Sequence, residues 1–466
     1  MRSIDKLGIF WIEGHDDDVL TGRLVFDPKN NGTDLELVGW FKNQDRNSNA
    51  KVRVHGWIAN EMVTLDECYS SGNFRAPGPE EVTYHANSLL VGFHLVDELA
   101  FDSAFVTFDD LGTWVGRGGI ESNSSDNGFE VSCTTAEIES CAFSKGDISL
   151  SMSWEAPGDE IKGFNIKQWP TFKLSYTNRQ DFKDIQRDVS RLEALISLCT
   201  DSPVVDVDII LQRSDARVVM INGTESSHLQ PIEYLASRVN YTPVEERKQR
   251  QHHRMLLDYE ELGGIDSVGR WMDKSEVFAR PLNSLMSTLR ARQMFMENKF
   301  MNVTYAAEAL HRVLIGGGKR MDEHDFNDLI AKCLEVTPAE HHEWLIGKTR
   351  FMNEASLPKR LNKLAAHAGA ATKDLIGRRS TWAQTVAAVR NELTHLKEGA
   401  SLANGADLYY MAESVYAVAR ACMLLEAGVS ADILNRKSNE YHMLWYKDRL
   451  AATIARVRSG SLIVDE

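Results

Sequence analysis

Long apolar runs are missing from this chain. The most apolar late stretch, "MAESVYAVARACMLLEAGV", is interrupted by Glu413 and Arg420, so no segment predicts a helix that crosses a bilayer. Cysteine is sparse and unpatterned. Cys68, Cys133, Cys141, Cys199, Cys333 and Cys422 form no Cys-x-x-Cys pair, which argues against a zinc knuckle and predicts buried thiols in a reducing compartment. The opening "MRSIDKLGIFWIEGHDDD" lacks the apolar core of a secretory leader, and the expected location is the cytoplasm. There is no His-Glu-x-x-His, and the pairs His252–His253 and His341–His342 are adjacent, so on a helix each pair diverges by about 100°. "GHDDDV" (His15 to Asp18) reads as a solvated acidic loop. Neither a metal nor any other cofactor is expected.

Positive charge is also in short supply. Lys and Arg number 52 against 67 Asp and Glu, for a net charge of −15. A chain so acidic is not a general nucleic-acid binder, but the imbalance is uneven. Residues 1–265 carry −18 and residues 266–466 carry +3. Residues 351–397 hold Lys359, Arg360, Lys363, Lys373, Arg378, Arg379, Arg390 and Lys397 against Glu354, Asp374 and Glu392. Screening over about 8–10 Å lets such a local surface attract phosphate on an acidic molecule.

What the first part does have is strand signal. "RLVFD", "DLELVGWF", "KVRVHGWI", "SLLVGFHLV" and "AFVTF" are rich in β-branched and aromatic residues, with "DPKNNGTD", "SSGNFRAPGPEE" and "ESNSSDNG" as turn-forming breaks. The signal continues through "DISLSMSW", "FKLSYT", "VVDVDIIL" and "RVVMI". One inserted helix, "DFKDIQRDVSRLEALISLCT", sets Phe182, Ile185, Val189, Leu192 and Leu195 on one face. The aromatics Trp40, Phe41, Trp57, Trp114 and Trp154 are expected in the core, and any that are exposed in a groove would mark a recognition surface. After "ELGGIDSVG" the period changes to 3.6, and apolar residues recur at i, i+3 and i+4 through residue 460. "GGGK" lacks the spacing of a phosphate-binding loop and reads as a helix stop. The fold class is α+β and multidomain: residues 1–265 form a β-rich region of antiparallel sheets, with a further division near 150 as one option, and residues 266–466 form an all-α bundle.

The stretch "STWAQTVAAVRNELTH" carries the chemistry. Ser380 or Thr381 suits the N-cap, and Trp382, Val386, Val389 and Leu393 make the apolar stripe. Arg390 and Asn391 flank that stripe, and His395 stands at its end. On one ideal helix Arg390 and His395 lie about 140° apart and ~7.5 Å along the axis, so they converge only if the helix end distorts or a second copy completes the site. Histidine titrates near neutrality and can take the proton of an RNA 2′-hydroxyl. Arginine's planar fork matches phosphate oxygens. Asn391 can orient either partner by hydrogen bonds.

"RNELTH" resembles the R-x(4–6)-H motif of the HEPN superfamily, and "LTGRLVFD" and "GTDLELVGWF" resemble the start of ApeA-type proteins, where a β-rich domain precedes an HEPN bundle. The resemblance implies a metal-independent endoribonuclease of anti-phage abortive infection. It implies a homodimer or higher even oligomer, with cellular RNA as substrate and transfer RNA a candidate. It assigns catalysis to Arg390, His395 and Asn391, and suggests Glu308 in "YAAEALHRVL" as an acidic residue from an earlier helix. Arg378, Arg379 and Lys397 are the expected RNA contacts. The β-rich region is then a sensor or regulator, receiving a phage-derived protein trigger. The competing reading is a non-catalytic HEPN dimerisation module whose β-domain recognises a protein or carbohydrate.

Overall fold

A computed structural model describes residues 2–28, 32–42, 44, 50–74, 81–96, 98–126, 128–159, 163–219, 224–236, 255–291, 293–395 and 403–460. The chain divides into two compact units, residues 1–193 with 204–252, and residues 194–203 with 253–466. Residues 194–203 are assigned to the second unit.

The first unit is built on a 13-stranded antiparallel sheet. At one end it closes on itself. Strands Glu61–Phe74, Val52–Ile58, Ile4–Ile12, Leu20–Phe26, Thr33–Val38 and Glu81–Ala86 pair in that order, and Glu81–Ala86 pairs back to the long Glu61–Phe74. Closure removes two edges and makes an interior. The alternation of strand residues fills that interior with Phe10, Leu24, Leu35, Val54, Leu65 and Tyr84. Close packing inside depends on Gly56, directly opposite Phe10, because a Cβ there would sit 2.3 Å from the Phe10 ring.

Beyond the barrel the sheet stays open, running through Ser88–Val91, Ile232–Leu235, Asp206–Gln212, Ala100–Phe108, Lys167–Asp181, Gly146–Glu155 and Glu139–Phe143. Gly146–Glu155 runs through residue 150 as one continuous strand, so the optional division there falls inside a ladder. The helices of this region are short α1 (Leu111–Val115), which the sequence pattern did not announce, and α2 (Phe182–Thr200). Phe182, Ile185 and Val189 of α2 are buried, and the Phe182 ring meets Tyr234 at 4.5 Å and Phe101 at 5.9 Å. Buried Asp188 accepts hydrogen bonds from Lys145 at 2.9 Å and Tyr176 at 3.3 Å, fastening the helix to the sheet. Phe41 and Trp114 are buried as expected. Trp57 and Trp154 are exposed instead, because outward positions of a one-layer sheet have nothing to cover them. "ESNSSDNG", read as a turn, forms most of a hairpin between Ile120–Ser125 and Gly128–Cys133.

The second unit is helical: α3 (Tyr259–Leu262), α4 (Gly264–Val277), α5 (Ala279–Arg290), α6 (Met296–Leu314), α7 (Glu323–Val336), α8 (His342–Thr349), α9 (Leu357–Ala368), α10 (Ala370–Ile376), α11 (Arg379–His395), α12 (Gly405–Glu426), α13 (Ala431–Ser438) and α14 (Tyr441–Ser459). Buried α12 is the axis, with α6, α9, α10 and α14 packed around it. The charges that interrupt its apolar run are paired. Glu413 takes Lys299 at 2.5 Å, and buried Arg420 bonds Asp201 and lies over the Tyr416 ring. Among the described residues no helix is long and apolar enough to cross a membrane.

Gly56→Val should lower stability by about 1–3 kcal/mol through overpacking against Phe10. Urea denaturation followed by tryptophan fluorescence measures it, and a neutral result would mean the barrel interior is looser than described.

Candidate functional site

Helix α11 begins at Arg379, one residue before Ser380 and two before Thr381, where the cap was expected, and Trp382 N–H bonds Arg378 O at 3.0 Å. Gly377, at φ 61°, ends α10 so abruptly that the next helix starts at once. Trp382, Val386 and Val389 are fully buried, and α11 lies against α9, with lighter contact to α6 and α14. The Trp382 indole N–H reaches Ser414 Oγ on α12 at 2.9 Å, and that hydroxyl donates onward to Met411 O at 2.7 Å. The rotation of α11 about its axis is fixed by this buried hydrogen bond as well as by apolar contact.

With the helix so oriented, Arg390 is half-buried at the edge of the stripe and Asn391 is exposed. The Arg390 guanidinium donates to Asn391 Oδ1 at 3.4 Å. Thr394 Oγ donates to Arg390 O at 2.8 Å, a local back-bond that competes with regular helix geometry in the last turn. His395 is the last helical residue, its side chain lies outside the described set, and so does Lys397. Arg378 and Arg379 are exposed at the opposite end, ~18 Å along the axis from Arg390.

Glu308, the acidic candidate from an earlier helix, lies on α6. It accepts from Arg312 at 3.2 Å and lies 3.8 Å from Arg360 on α9. Glu354 completes the set, taking Arg312 at 3.0 Å and Arg360 at 2.8 Å. Among the described residues no hydrogen bond or ion pair joins Glu308 to Arg390. The physical reason is that two nearby guanidinium groups already hold the carboxylate. Arg360, counted from sequence with the phosphate-attracting surface, is 2% exposed and serves this internal network. Lys359, Lys363 and Lys373 are exposed.

The burial of two polar groups was missed from sequence. His311 on α6 is fully buried, and among the described residues neither ring nitrogen has a hydrogen-bond partner. One nitrogen of Arg360 is likewise unpartnered. Burial, then the nearby Arg360, Lys363 and Arg312, push the His311 pKa down to about 4. The signal was present in phase: His311 follows Ala307 by four residues and Arg360 precedes Leu364 by four, so both sit on apolar rows. A cavity of about 560 Å³ in the same unit is lined by residues including Met294, Lys299, Glu413, Tyr416 and Tyr446, and none of its lining residues belongs to α11. Among the described residues no group of His, Cys, Asp or Glu is placed to hold a metal ion.

Arg390, Asn391 and His395 thus stand toward the C-terminal end of α11 within the helical unit. Residues 301–433 match the family model described as Apea-like HEPN, and residues 5–271 match that of ApeA N-terminal domain 1. The chain belongs to the ApeA-like HEPN family. HEPN domains of this kind are nucleases as a group, with a role in defence against phage. Searches of curated proteins and of solved structures returned no match.

Because His311 titrates lower in the folded chain than its ordinary 6.5, the unfolded chain binds more protons between those values. Its contribution to stability is therefore intact above about pH 6.5 and falls as pH drops toward about 4. His311→Leu should keep or raise stability at pH 7 and lose less than wild type on going to pH 5, by about 1–2 kcal/mol. Urea titrations at both pH values measure the difference, and equal losses would rule out a neutral, desolvated imidazole.

Proposed function

We propose that this protein is a metal-independent endoribonuclease of abortive-infection defence, with Arg390 and His395 as its catalytic pair. The observation that carries the reading is the intact Arg390-Asn391-x-x-x-His395 sequence at the free end of a helix whose other face is locked into the bundle. In this mechanism His395 removes the proton from a ribose 2′-hydroxyl. The 2′-oxygen attacks the adjacent phosphorus, the bond to the 5′-oxygen breaks, and that oxygen takes up a proton. Arg390 holds the non-bridging oxygens as charge builds on them. Asn391, already bonded to Arg390, orients the guanidinium. The products are a 2′,3′-cyclic phosphate and a 5′-hydroxyl.

One regular helix holds Arg390 and His395 too far apart in angle to serve one phosphate, so a second copy supplies the missing side chain and the active form is a homodimer or higher even oligomer. Arg378 and Arg379, ~18 Å from Arg390, bind RNA away from the scissile bond, and Lys397 near the helix end binds close to it. Glu308 enters as a positioning residue that ties α6 to α9 through Arg360. Substrates are cellular RNAs, with transfer RNA the first to try. The β-rich unit regulates the nuclease in the cytoplasm and responds to a phage-derived protein.

The test assays purified wild type, Arg390→Ala and His395→Ala on total RNA with EDTA present. Wild type should cut, and each variant should lose about 10²- to 10⁴-fold in rate. Equal cutting by the variants, or loss of wild-type cutting in EDTA, would refute the assignment.

A further inference from the structure

The open part of the 13-stranded sheet has two unlike faces. Val106, Leu174, Ile209 and Leu211 point to the buried side. The alternate residues form a rung on the other side, where Lys173 pairs with Phe105, Phe105 with Ile210, Ile210 with Glu233, and Glu233 with Val91. This face is not flat. It holds a groove of about 560 Å³, large enough for a few residues of extended chain. The floor is apolar, from Phe105, Ile210 and Val91, and Trp169, one-third exposed, stands at the side. Ser153 and Thr171 add hydroxyls bonded to each other at 3.1 Å.

Charge fixes the kind of ligand. Among the described residues the lining carries three carboxylates, Glu61, Asp208 and Glu233, and one cation, Arg2. Arg2 lies between two of the carboxylates, with its Nε 2.9 Å from Glu233 and its terminal nitrogens 2.9 and 3.2 Å from Glu61. Its side chain remains 43% exposed, so this is a guanidinium resting in a site rather than a buried strut. At the far end of the same rung, the Lys173 ammonium stands 5.2 Å over the Phe105 ring. The chain's own arginine and lysine thus show what the carboxylates and the aromatic floor attract. A phosphate-bearing ligand would be repelled by the same lining.

We propose that this groove binds an extended, cationic polypeptide segment, its basic side chains taking the positions on Glu61 and Glu233 that Arg2 fills in the free protein, and an apolar or aromatic side chain resting on Phe105, Ile210 and Trp169. This site is independent of the nuclease assignment and uses none of its residues. Arg2 acts as an internal competitor. Removing it vacates the carboxylates and strengthens binding, whereas a merely structural Arg2 would have no such effect.

The experiment titrates full-length protein by calorimetry with three probes: acetyl-Arg-Phe-Arg-amide, acetyl-Glu-Phe-Glu-amide and maltotriose. The expected result is binding of the basic peptide alone, weakened by salt. Arg2→Ala should tighten it several-fold, and Trp169→Ala and the double variant Glu61→Gln/Glu233→Gln should each weaken it about tenfold or more. Thermal melting checks that each variant is folded; if the double variant is not, Arg2→Ala, Trp169→Ala and the salt dependence decide. Three results would overturn the proposal: no binding of the basic peptide at about 1 mM, equal binding of the acidic peptide, or binding of maltotriose in its place. Affinity that is indifferent to Arg2→Ala and Trp169→Ala would overturn it as well.

Discussion

The rotation of α11 about its own axis is the constraint on which the candidate site depends. Successive helix residues point about 100° apart, so slipping the helix by one residue would carry Arg390 from the edge of the stripe into a different environment. Apolar contact alone resists this weakly, because one apolar side chain packs nearly as well as another of its size. The Trp382 N–H to Ser414 hydrogen bond resists it more sharply, since breaking it leaves the buried indole N–H unsatisfied. The same anchor leaves Asn391 and Thr394 exposed, and Thr394 bonds back to the Arg390 carbonyl.

Next to this anchor the bundle tolerates polar groups it could have done without. Arg360 and His311 sit on apolar rows of α9 and α6, one tied to Glu308 and Glu354, the other with no hydrogen-bond partner among the described residues. Burying an unsatisfied imidazole costs free energy that a leucine would not, and a buried charge held by carboxylates is costly to break. Such a network fixes how α6 and α9 meet, and α11 lies against both. Glu308, on the earlier helix α6, belongs to this network through Arg312 and Arg360.

Local patterns were legible from sequence wherever one face of an element is buried. The 3.6 period marked the stripe of α11, the buried face of α2 and the sequence of helices after residue 265. Alternation marked most strands. Barrel closure was not legible, because the pairing of Glu81–Ala86 with Glu61–Phe74 is a long-range choice that neither strand encodes alone. Nor was the exposure of Trp57 and Trp154, since aromatic content says that a residue suits a sheet and not which face will be covered. At the site, the resemblance of RNELTH to the R-x(4–6)-H motif singled out Arg390, Asn391 and His395. The engagement of Glu308 by two arginines was hidden, because its partners come from Arg312 in its own helix and from Arg360 far along the chain.

Two chemistries of RNA cleavage leave different ends. Attack by the neighbouring 2′-hydroxyl, with histidine as base and arginine on the phosphate, leaves a cyclic phosphate; attack by metal-activated water leaves a 3′-hydroxyl and a 5′-phosphate. The most direct measurement is therefore the end chemistry of RNA cut by the purified wild-type protein, read by selective ligation and by mass spectrometry. The expected result is a 2′,3′-cyclic phosphate with a 5′-hydroxyl at each cut, whereas 3′-hydroxyl and 5′-phosphate ends would contradict a catalytic role for Arg390 and His395.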